Sequence, residues 1–338
     1  MGTRRSSRHD AVAGGEGTPI SRGWSRLRAL ASRSRTKVVD TCMLFNELDL
    51  LELRLRELWS VVDRFVVVEA AFSHAGAPKP LFLAESRSRF EPYREKLVYH
   101  TLLTSPVAAP RDEPERAVVE RFQRDAIGRA LAPLGLSHRD VVVVSDVDEI
   151  PRGTKVPSLD GRLRHARYCV FVQRHYHRYV NHAWPDGSGP PRWLGSVACR
   201  YGTLRKSGAH RVRRGGGRAG ILFERPDLRW SYVEDGGWHL TWMGGAEASW
   251  IKAQHVLHVL ERASGLRDIG PAMPIQVFPS DVSRERCREL QAEYLAQAEA
   301  PAFTPLDFDE FRIEQDVPHH VVRDRDRFRR WFFFTTGV

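Results

Sequence analysis

Between residues 37 and 150, short apolar runs alternate with segments whose apolar positions repeat at helical spacing. The runs predict strands and the repeating segments predict helices, because a buried strand is apolar throughout whereas a surface helix is apolar on one face. An order of strand, helix and strand predicts an α/β fold, with a mainly parallel sheet flanked by helices. The predicted strands are 37–45, 64–70, 96–102 and 141–145, and the predicted helices are 47–60 and 115–131.

Beyond residue 150 the pattern is less regular. Residues 168–179 begin as a strand and become aromatic and basic, and two further helices are predicted at 246–260 and 284–297. Residues 185–191 and 213–220 are rich in glycine together with proline or arginine, which predicts loops. No polar linker divides the chain, so we expect one large domain over 37–330, with a regular half (37–150) and a less regular half (151–330).

The net charge of +10 is concentrated at the start of the chain. Residues 1–37 carry nine basic and two acidic side chains, which gives +7 and leaves about +3 for the rest. A nearly neutral body argues against an extensive nucleic-acid interface. Residues 1–36 lack apolar periodicity and predict a disordered basic tail, whose role is at most peripheral contact with a membrane surface.

The four cysteines are far apart and form no CxxC pair. This spacing is typical of reduced thiols rather than of a zinc site or a disulfide framework. No stretch approaches the roughly 20 apolar residues that span a bilayer. We therefore expect a cytoplasmic protein, with any membrane contact at the inner face.

An acidic sequence, Asp146-Val147-Asp148-Glu149, follows the most apolar predicted strand. We call residues 146–149 the acidic loop. Ligands of such sheets bind beyond the carboxyl ends of the strands, where Asn46 and Glu69 are also expected. Two aspartates separated by one residue suit Mg²⁺ or Mn²⁺, which share oxygen ligands with substrate phosphates and stabilise a departing diphosphate. A solvated acidic turn is the alternative interpretation.

Two more clusters are candidates for ligand contacts. In Gly-Trp-His at 237–239, His239 is a candidate metal ligand and Trp238 a candidate sugar contact, although a structural histidine and a core tryptophan are the alternatives. On the helix before the acidic loop, Arg121, Arg124 and Asp125 are candidate phosphate and ribose contacts. Ion pairs between residues four apart, Glu120 with Arg124 and Arg121 with Asp125, are the alternative there.

Together these motifs resemble glycosyltransferase family 17. The resemblance runs from about Val38 to Phe328 and implies a GT-A-like fold, a UDP-sugar donor, in particular UDP-N-acetylglucosamine, and inversion at the anomeric carbon. It implies that residues 37–150 bind the nucleotide-sugar and residues 151–330 bind the acceptor. By position, Asp146, Asp148 and His239 match the family's motifs. The segments that carry it are FNELDLLELRL (45–55), VVVEAAFSHAGAPKPL (66–81), ERFQRDAI (120–127), VVVSDVDEIP (142–151), GWHLTWMGG (237–245) and PHHVVRDRDRF (318–328).

The mechanistic hypothesis is a single displacement in which a carboxylate deprotonates an acceptor hydroxyl of a glycan or glycoconjugate. Asp235 is the preferred base, with Glu234 and Glu247 as further candidates, because all three flank the Gly-Trp-His segment. Two alternative functions remain open: a metal-dependent nucleotidyl or phosphoryl transferase with the same carboxylates, and a basic polyanion-binding protein. The sequences GxxxxGK[ST], HExxH and GxSxG are absent, and no GxGxxG follows the first predicted strand.

Overall fold

The structure is a computed structural model, and it describes residues 35–177, 179–180, 192–217, 229–243 and 316–332. The loop predicted at 185–191, the helices predicted at 246–260 and 284–297, and residues 1–34 of the predicted tail lie outside these ranges. Within them, no helix is both long enough and apolar enough to cross a membrane. From Lys37 onward the described residues belong to one compact unit.

Strands and helices alternate through the first half, as the apolar pattern predicts. The described strands are β1 (Val38–Leu44), β2 (Arg64–Ala70), β3 (Leu97–Leu102), β4 (Val141–Asp146), β5 (Glu149–Pro151), β6 (Tyr168–His177), β7 (Arg192–Arg200), β8 (Trp230–Val233) and β9 (Gly237–Thr241). The described helices are α1 (Leu48–Leu58), α2 (Phe82–Glu85), α3 (Arg87–Phe90), α4 (Glu113–Leu131), α5 (Leu159–Arg162), α6 (Tyr201–Ser207), α7 (Ala209–Gly217) and α8 (His319–Arg323).

The strands form one mixed sheet in the order β3-β2-β1-β4-β7-β6-β9-β5, with β8 beside the first half of β6. The first four strands in this order are parallel, whereas β7 runs antiparallel to both β4 and β6. Of the eight described pairings, five are parallel, so the sheet is mainly parallel.

Helices cover both faces of the sheet. On one face, α1 and the segment 316–332 bury their apolar side chains, including Leu51, Leu55 and Trp331. On the other, α4 and α7 contribute Ile127 and Val212 to a second apolar cluster. The predicted α/β fold class, a mainly parallel sheet flanked by helices, is therefore confirmed.

The prediction of a loop at 213–220 is wrong for residues 213–217, which form the end of α7. Glycine has a low helix propensity, but tertiary packing decides here. Val212 is fully buried against the sheet, and the Asp125 carboxylate accepts a hydrogen bond from the His210 N–H in the first turn. Helix α7 is thereby fixed to α4.

Gly237 determines how closely β9 approaches β5. Its φ is +126°, and a Cβ atom there would lie 2.2 Å from the Ile150 carbonyl oxygen and 2.6 Å from the Arg152 nitrogen. We expect Gly237→Ala to lower the free energy of unfolding by about 2–4 kcal/mol, from backbone strain and overpacking together. Urea denaturation monitored by circular dichroism measures this change.

Gly128→Ala is the matched control for that substitution. Gly128 lies inside α4, and nothing lies within 4 Å of a Cβ atom built on it. This substitution is expected to raise the free energy of unfolding by about 0.5–1 kcal/mol, since alanine loses less backbone entropy than glycine. Equal effects at the two positions would contradict the close approach of β5 and β9.

Candidate active site

The carboxyl ends of β1, β2 and β4 meet at one edge of the sheet. Met43 pairs with Asp146, and Leu44 pairs with Glu69. Asn46, which is half-buried, lies two residues after the end of β1. The residues expected after the parallel strands therefore lie at the same edge as the acidic loop.

A buried arginine holds the acidic loop from the inner side. Arg54 on α1 is fully buried and donates two hydrogen bonds of 2.6 Å to the two carboxylate oxygens of Asp40. Its Nη1 donates to the carbonyl oxygens of Asp146, at 3.2 Å, and Glu149, at 2.7 Å. The backbone on both sides of Val147 and Asp148 is thus tied to α1 and β1.

Asp146 lies between two arginines on the outer side of the loop. Arg124 Nη2 donates to Asp146 Oδ1 at 2.8 Å, and Arg213 Nη2 lies 3.8 Å from Asp146 Oδ2. Burial opposes ionisation, but the positive charges of Arg124 and Arg213 outweigh it and lower the pKa of Asp146 to about 2. The carboxylate is therefore ionised at neutral pH although most of it is covered.

Glu149 is the most completely buried carboxylate of the loop, at 1% exposure. Arg213 forms a two-pronged ion pair with it, with Nε at 3.1 Å from Oε2 and Nη2 on Oε1. The Trp193 indole N–H donates to Oε1 at 2.8 Å, and the Asp146 N–H donates to Oε2 at 3.2 Å. Glu149 consequently joins the loop to β7 and α7.

Asp148 faces His239 across the β5–β9 pair. Both are buried, and His239 Nε2 lies 3.7 Å from Asp148 Oδ2. His239 pairs with Glu149 on one side and His175 on the other, and its ring lies 4.5 Å from that of Trp193 and 4.6 Å from that of His175. His239 Nδ1 is buried and has no hydrogen-bond partner among the described residues.

The separation of Asp148 and His239 is compatible with a single divalent ion between them. Two ligand atoms, each about 2.1 Å from one ion, must lie within about 4.2 Å of each other, and the 3.7 Å between Asp148 and His239 satisfies this limit. Among the described residues no group of three His, Cys, Asp or Glu side chains could hold an ion. Mg²⁺ and Mn²⁺ commonly take remaining ligands from water and phosphates, so a pair is a chemically adequate donor set.

Glu69 is placed at the expected edge but is fully engaged by the protein. It is fully buried and accepts hydrogen bonds from the Phe82 and Leu83 N–H groups, the Lys79 ammonium and the Tyr99 hydroxyl. Burial lowers the pKa of Lys79 despite this carboxylate. The contacts of Glu69 hold α2 against β2 and β3, and a contact with a bound nucleotide stays a prediction.

The cluster on α4 divides between the two interpretations. The ion pairs Glu120–Arg124 and Arg121–Asp125 are both present, as the alternative interpretation predicts, and the first of them is buried. Arg121 is 70% exposed, and Asp125 is engaged in capping α7. Of the three candidate contacts, Arg124 alone is shown to reach the acidic loop.

Trp238 lies inside the protein rather than on an open face. It is 2% exposed, its indole N–H donates to the Asp316 carbonyl at 2.7 Å, and the Arg152 guanidinium lies 4.4 Å from its ring centroid. Through these contacts the tryptophan packs the segment 316–332 against β9. Its predicted contact with a sugar stays a prediction.

The described ion pairs of Asp235 and Glu234 do not involve the acidic loop. Gly237, two residues after Asp235, pairs with Pro151. The Leu240 N–H donates a hydrogen bond to the Asp148 carbonyl oxygen, so Asp148 lies beside the Leu240 end of β9. The three residues from Gly237 to Leu240 span about 10 Å of strand. Asp235 pairs with Arg152 and Glu234 with Arg192, both in exposed positions. Glu247 lies outside the described residues.

Arg54 and Arg213 were missed in the sequence. Arg54 falls among the polar positions of an amphipathic helix, and its indication was Asp40, a carboxylate inside an apolar strand that needs a buried partner. Arg213 is one of three arginines at 211–214. Which of the three is buried depends on how α7 packs.

Comparisons with known proteins support the resemblance over the first half of the chain. Residues 20–163 match the family model described as glycosyltransferase family 17. Two similar curated proteins are the beta-1,4-mannosyl-glycoprotein 4-beta-N-acetylglucosaminyltransferases of Rattus norvegicus and Homo sapiens, each 33% identical over 122 residues. The aligned part is 34% of this chain and spans only 22% of the length of either relative.

Likenesses to solved structures are distant. A mycobacterial protein aligns with 71% of this chain and 78% of its own at a TM-score of 0.37 and 18% identity. S. aureus TarS 1-349 aligns with 79% of this chain and 72% of its own at a TM-score of 0.34 and 12% identity.

The family match includes β1 to β5 and therefore the whole acidic loop, together with the segments at 45–55, 66–81, 120–127 and 142–151. The segments at 237–245 and 318–328 lie beyond it, and their resemblance stays a prediction. Over residues 20–163, the chain thus matches the model of glycosyltransferase family 17.

Proposed function

We propose that the protein is an inverting, metal-dependent glycosyltransferase that moves N-acetylglucosamine from UDP-N-acetylglucosamine to a hydroxyl of a glycan or glycoconjugate. The observation that carries the proposal is the acidic loop: it closes a buried parallel strand within the family 17 match and is fixed by Arg54, Arg124 and Arg213. The N-acetylglucosaminyltransferase names of the similar proteins support the choice of sugar.

The geometry supports different roles for Asp146, Asp148 and Glu149 of the acidic loop. Asp148 and His239 would hold Mn²⁺ or Mg²⁺, which when bound supplies positive charge to the departing diphosphate. Asp146 lies beside Arg124 and Arg213, so we assign it to orienting the donor next to those guanidinium groups. Buried Glu149 and Arg54 keep the loop backbone in place, which limits reorganisation during the reaction.

In the proposed displacement, the acceptor oxygen forms a bond to the anomeric carbon while the bond from that carbon to the diphosphate oxygen breaks. The acceptor proton passes to a base, and UDP leaves. We propose a cytoplasmic reaction, with any contact to the inner membrane face made by the basic tail.

A donor screen tests the proposed function directly. Purified protein is incubated with a panel of UDP-sugars, UDP-N-acetylglucosamine first, plus Mn²⁺ and a panel of glycan acceptors, and released UDP and glycosylated product are measured with and without EDTA. Acceptor-dependent UDP release, abolished by EDTA, is the expected result. Transfer of a nucleotidyl group would instead indicate a nucleotidyltransferase. Full transfer in EDTA would refute metal dependence.

The position of Asp235 gives a separate prediction about the base. Since Asp235 precedes β9 on the side away from Asp148 and pairs with Arg152, we expect Asp235→Asn to keep turnover near the wild-type rate. Loss of a true general base lowers the rate by about 10²–10⁴-fold. Steady-state kinetics of both proteins decide: a loss of that size with an unchanged donor KM would establish Asp235 as the base.

A further inference from the structure

Helix α7 carries three arginines, but only one of them faces inward. Arg211 and Arg214 are exposed, whereas Arg213 is buried at 9% exposure. Burying a guanidinium is costly unless it is paired and hydrogen-bonded, so its partners matter. Those partners are Glu149 and Asp146 of the acidic loop, far away in sequence.

Arg213 is aimed at the loop by the helix that also carries Arg124. The carboxylate of Asp125 accepts the N–H of His210 at 2.9 Å, and the adjacent Arg124 donates to Asp146. Two successive residues of α4 therefore place α7 and contact the loop. This arrangement fixes the distance between α7 and β4.

The guanidinium of Arg213 controls a backbone position through Glu149. Glu149 Oε2 accepts both the Arg213 Nε–H at 3.1 Å and the Asp146 N–H at 3.2 Å. Without the Arg213 guanidinium, the Glu149 carboxylate would stay buried beside Asp146 and would lose the positive charge that compensates its own. It would have to turn away or recruit water, and the Asp146 N–H would lose its acceptor.

We propose that Arg213 is a positioning residue for the acidic loop, acting through Glu149 on the backbone of Asp146 and so on the placement of both aspartates. The proposal deepens the function proposed above and rests on it for its catalytic consequence. It assigns a role to a residue outside the segment that matches family 17.

Arg213→Gln is tested beside Arg211→Gln and Arg214→Gln, the matched exposed controls on the same helix. The first readout is the rate of backbone amide hydrogen exchange at residues 146–149 in the full-length protein. We expect exchange there to become about tenfold faster in Arg213→Gln, with β1 and β2 unchanged, because opening of a single loop is local. The controls are expected to match the wild type throughout.

The second readout is kinetic. Partners that orient a ligand residue typically contribute about 10–100-fold to activity or metal affinity. We therefore expect Arg213→Gln to lower kcat and to raise both the Mn²⁺ concentration for half-maximal rate and the donor KM within that range. Arg213→Lys, which keeps the charge but not the two-pronged geometry, is expected to recover part of kcat.

If Arg213→Gln does not fold, Arg213→Lys and the double variant Glu149→Gln/Arg213→Gln, which removes the buried charge together with its partner, take its place in both readouts. Unchanged exchange at 146–149 in folded variants overturns the proposal, as does altered exchange with wild-type kinetics. Faster exchange over the whole sheet would show a purely structural role and also overturns it. If the wild-type protein transfers no sugar, the proposed function fails, and exchange alone decides whether Arg213 positions the loop.

Discussion

Asp148→Asn is expected to lower sugar transfer by roughly 10²–10³-fold without unfolding the protein, the size of effect seen when one group that stabilises developing charge is removed. Asp148 is buried and its Oδ2 atom lies 3.7 Å from His239 Nε2. The amide has the same shape as the carboxylate but carries no charge. Its oxygen is a far weaker ligand for Mn²⁺ or Mg²⁺.

The measurement is UDP release at saturating donor over a range of Mn²⁺ concentrations. In Asp148→Asn we expect a much higher Mn²⁺ requirement together with the fall in rate. Asp326→Asn, an exposed change in the segment 316–332, is the control and should retain wild-type kinetics. A folded Asp148→Asn protein with full activity and the wild-type Mn²⁺ requirement would remove Asp148 from the metal site.

Asp146→Asn separates the roles of the two aspartates. Asp146 lies beside the guanidinium groups of Arg124 and Arg213, and we assign it to orienting the donor, so its loss should affect the donor KM and kcat more than the Mn²⁺ requirement. Equal shifts of the Mn²⁺ requirement in both variants would instead show that Asp146 is also a ligand.

The position of the acidic loop could be predicted because it depends on local pattern alone. The run at 141–145 is apolar enough to indicate a covered parallel strand, and ligand sites follow the carboxyl ends of such strands. In the structure this strand is one residue longer than predicted and ends at Asp146. Asn46 and Glu69 lie at the same edge of the sheet. These inferences need the direction of each strand but not the packing of side chains.

The surroundings of the loop could not be predicted because they depend on packing between distant segments. Glu69 lies at the expected edge, but its oxygens are taken by α2 and Tyr99. Asp235 is close to His239 in sequence, but the β5–β9 register separates it from Asp148. Neither outcome is encoded in the spacing of residues along the chain.

Helix α7 shows a related limit. A sequence with three consecutive glycines is typical of a loop, because glycine loses more entropy than other residues in a helix. The burial of Val212 and the cap from Asp125 favour the helix instead, and both are tertiary contacts. The chemically important arginine of this segment was consequently assigned to a loop.

Arg54→Met is expected to lower the free energy of unfolding by about 3–5 kcal/mol, the usual cost of breaking a buried ion pair by removing one partner. Arg54 is fully buried, and Asp40, at 1% exposure, would be left as an uncompensated charge inside β1. Urea denaturation at pH 7 measures the change. Arg87→Met, on the exposed side of α3, is the control and should stay within about 0.5 kcal/mol of wild type.

The double variant Asp40→Leu/Arg54→Met separates the role of Arg54 in stability from its role at the loop. Replacing both charges with apolar side chains removes the buried-charge penalty, so much of the lost stability should return. The carbonyl oxygens of Asp146 and Glu149 would still lack their guanidinium donor. We therefore expect a folded protein whose transfer activity stays low, because the backbone of the acidic loop is no longer tied to α1. Recovery of activity in step with stability would show instead that Arg54 serves the fold alone.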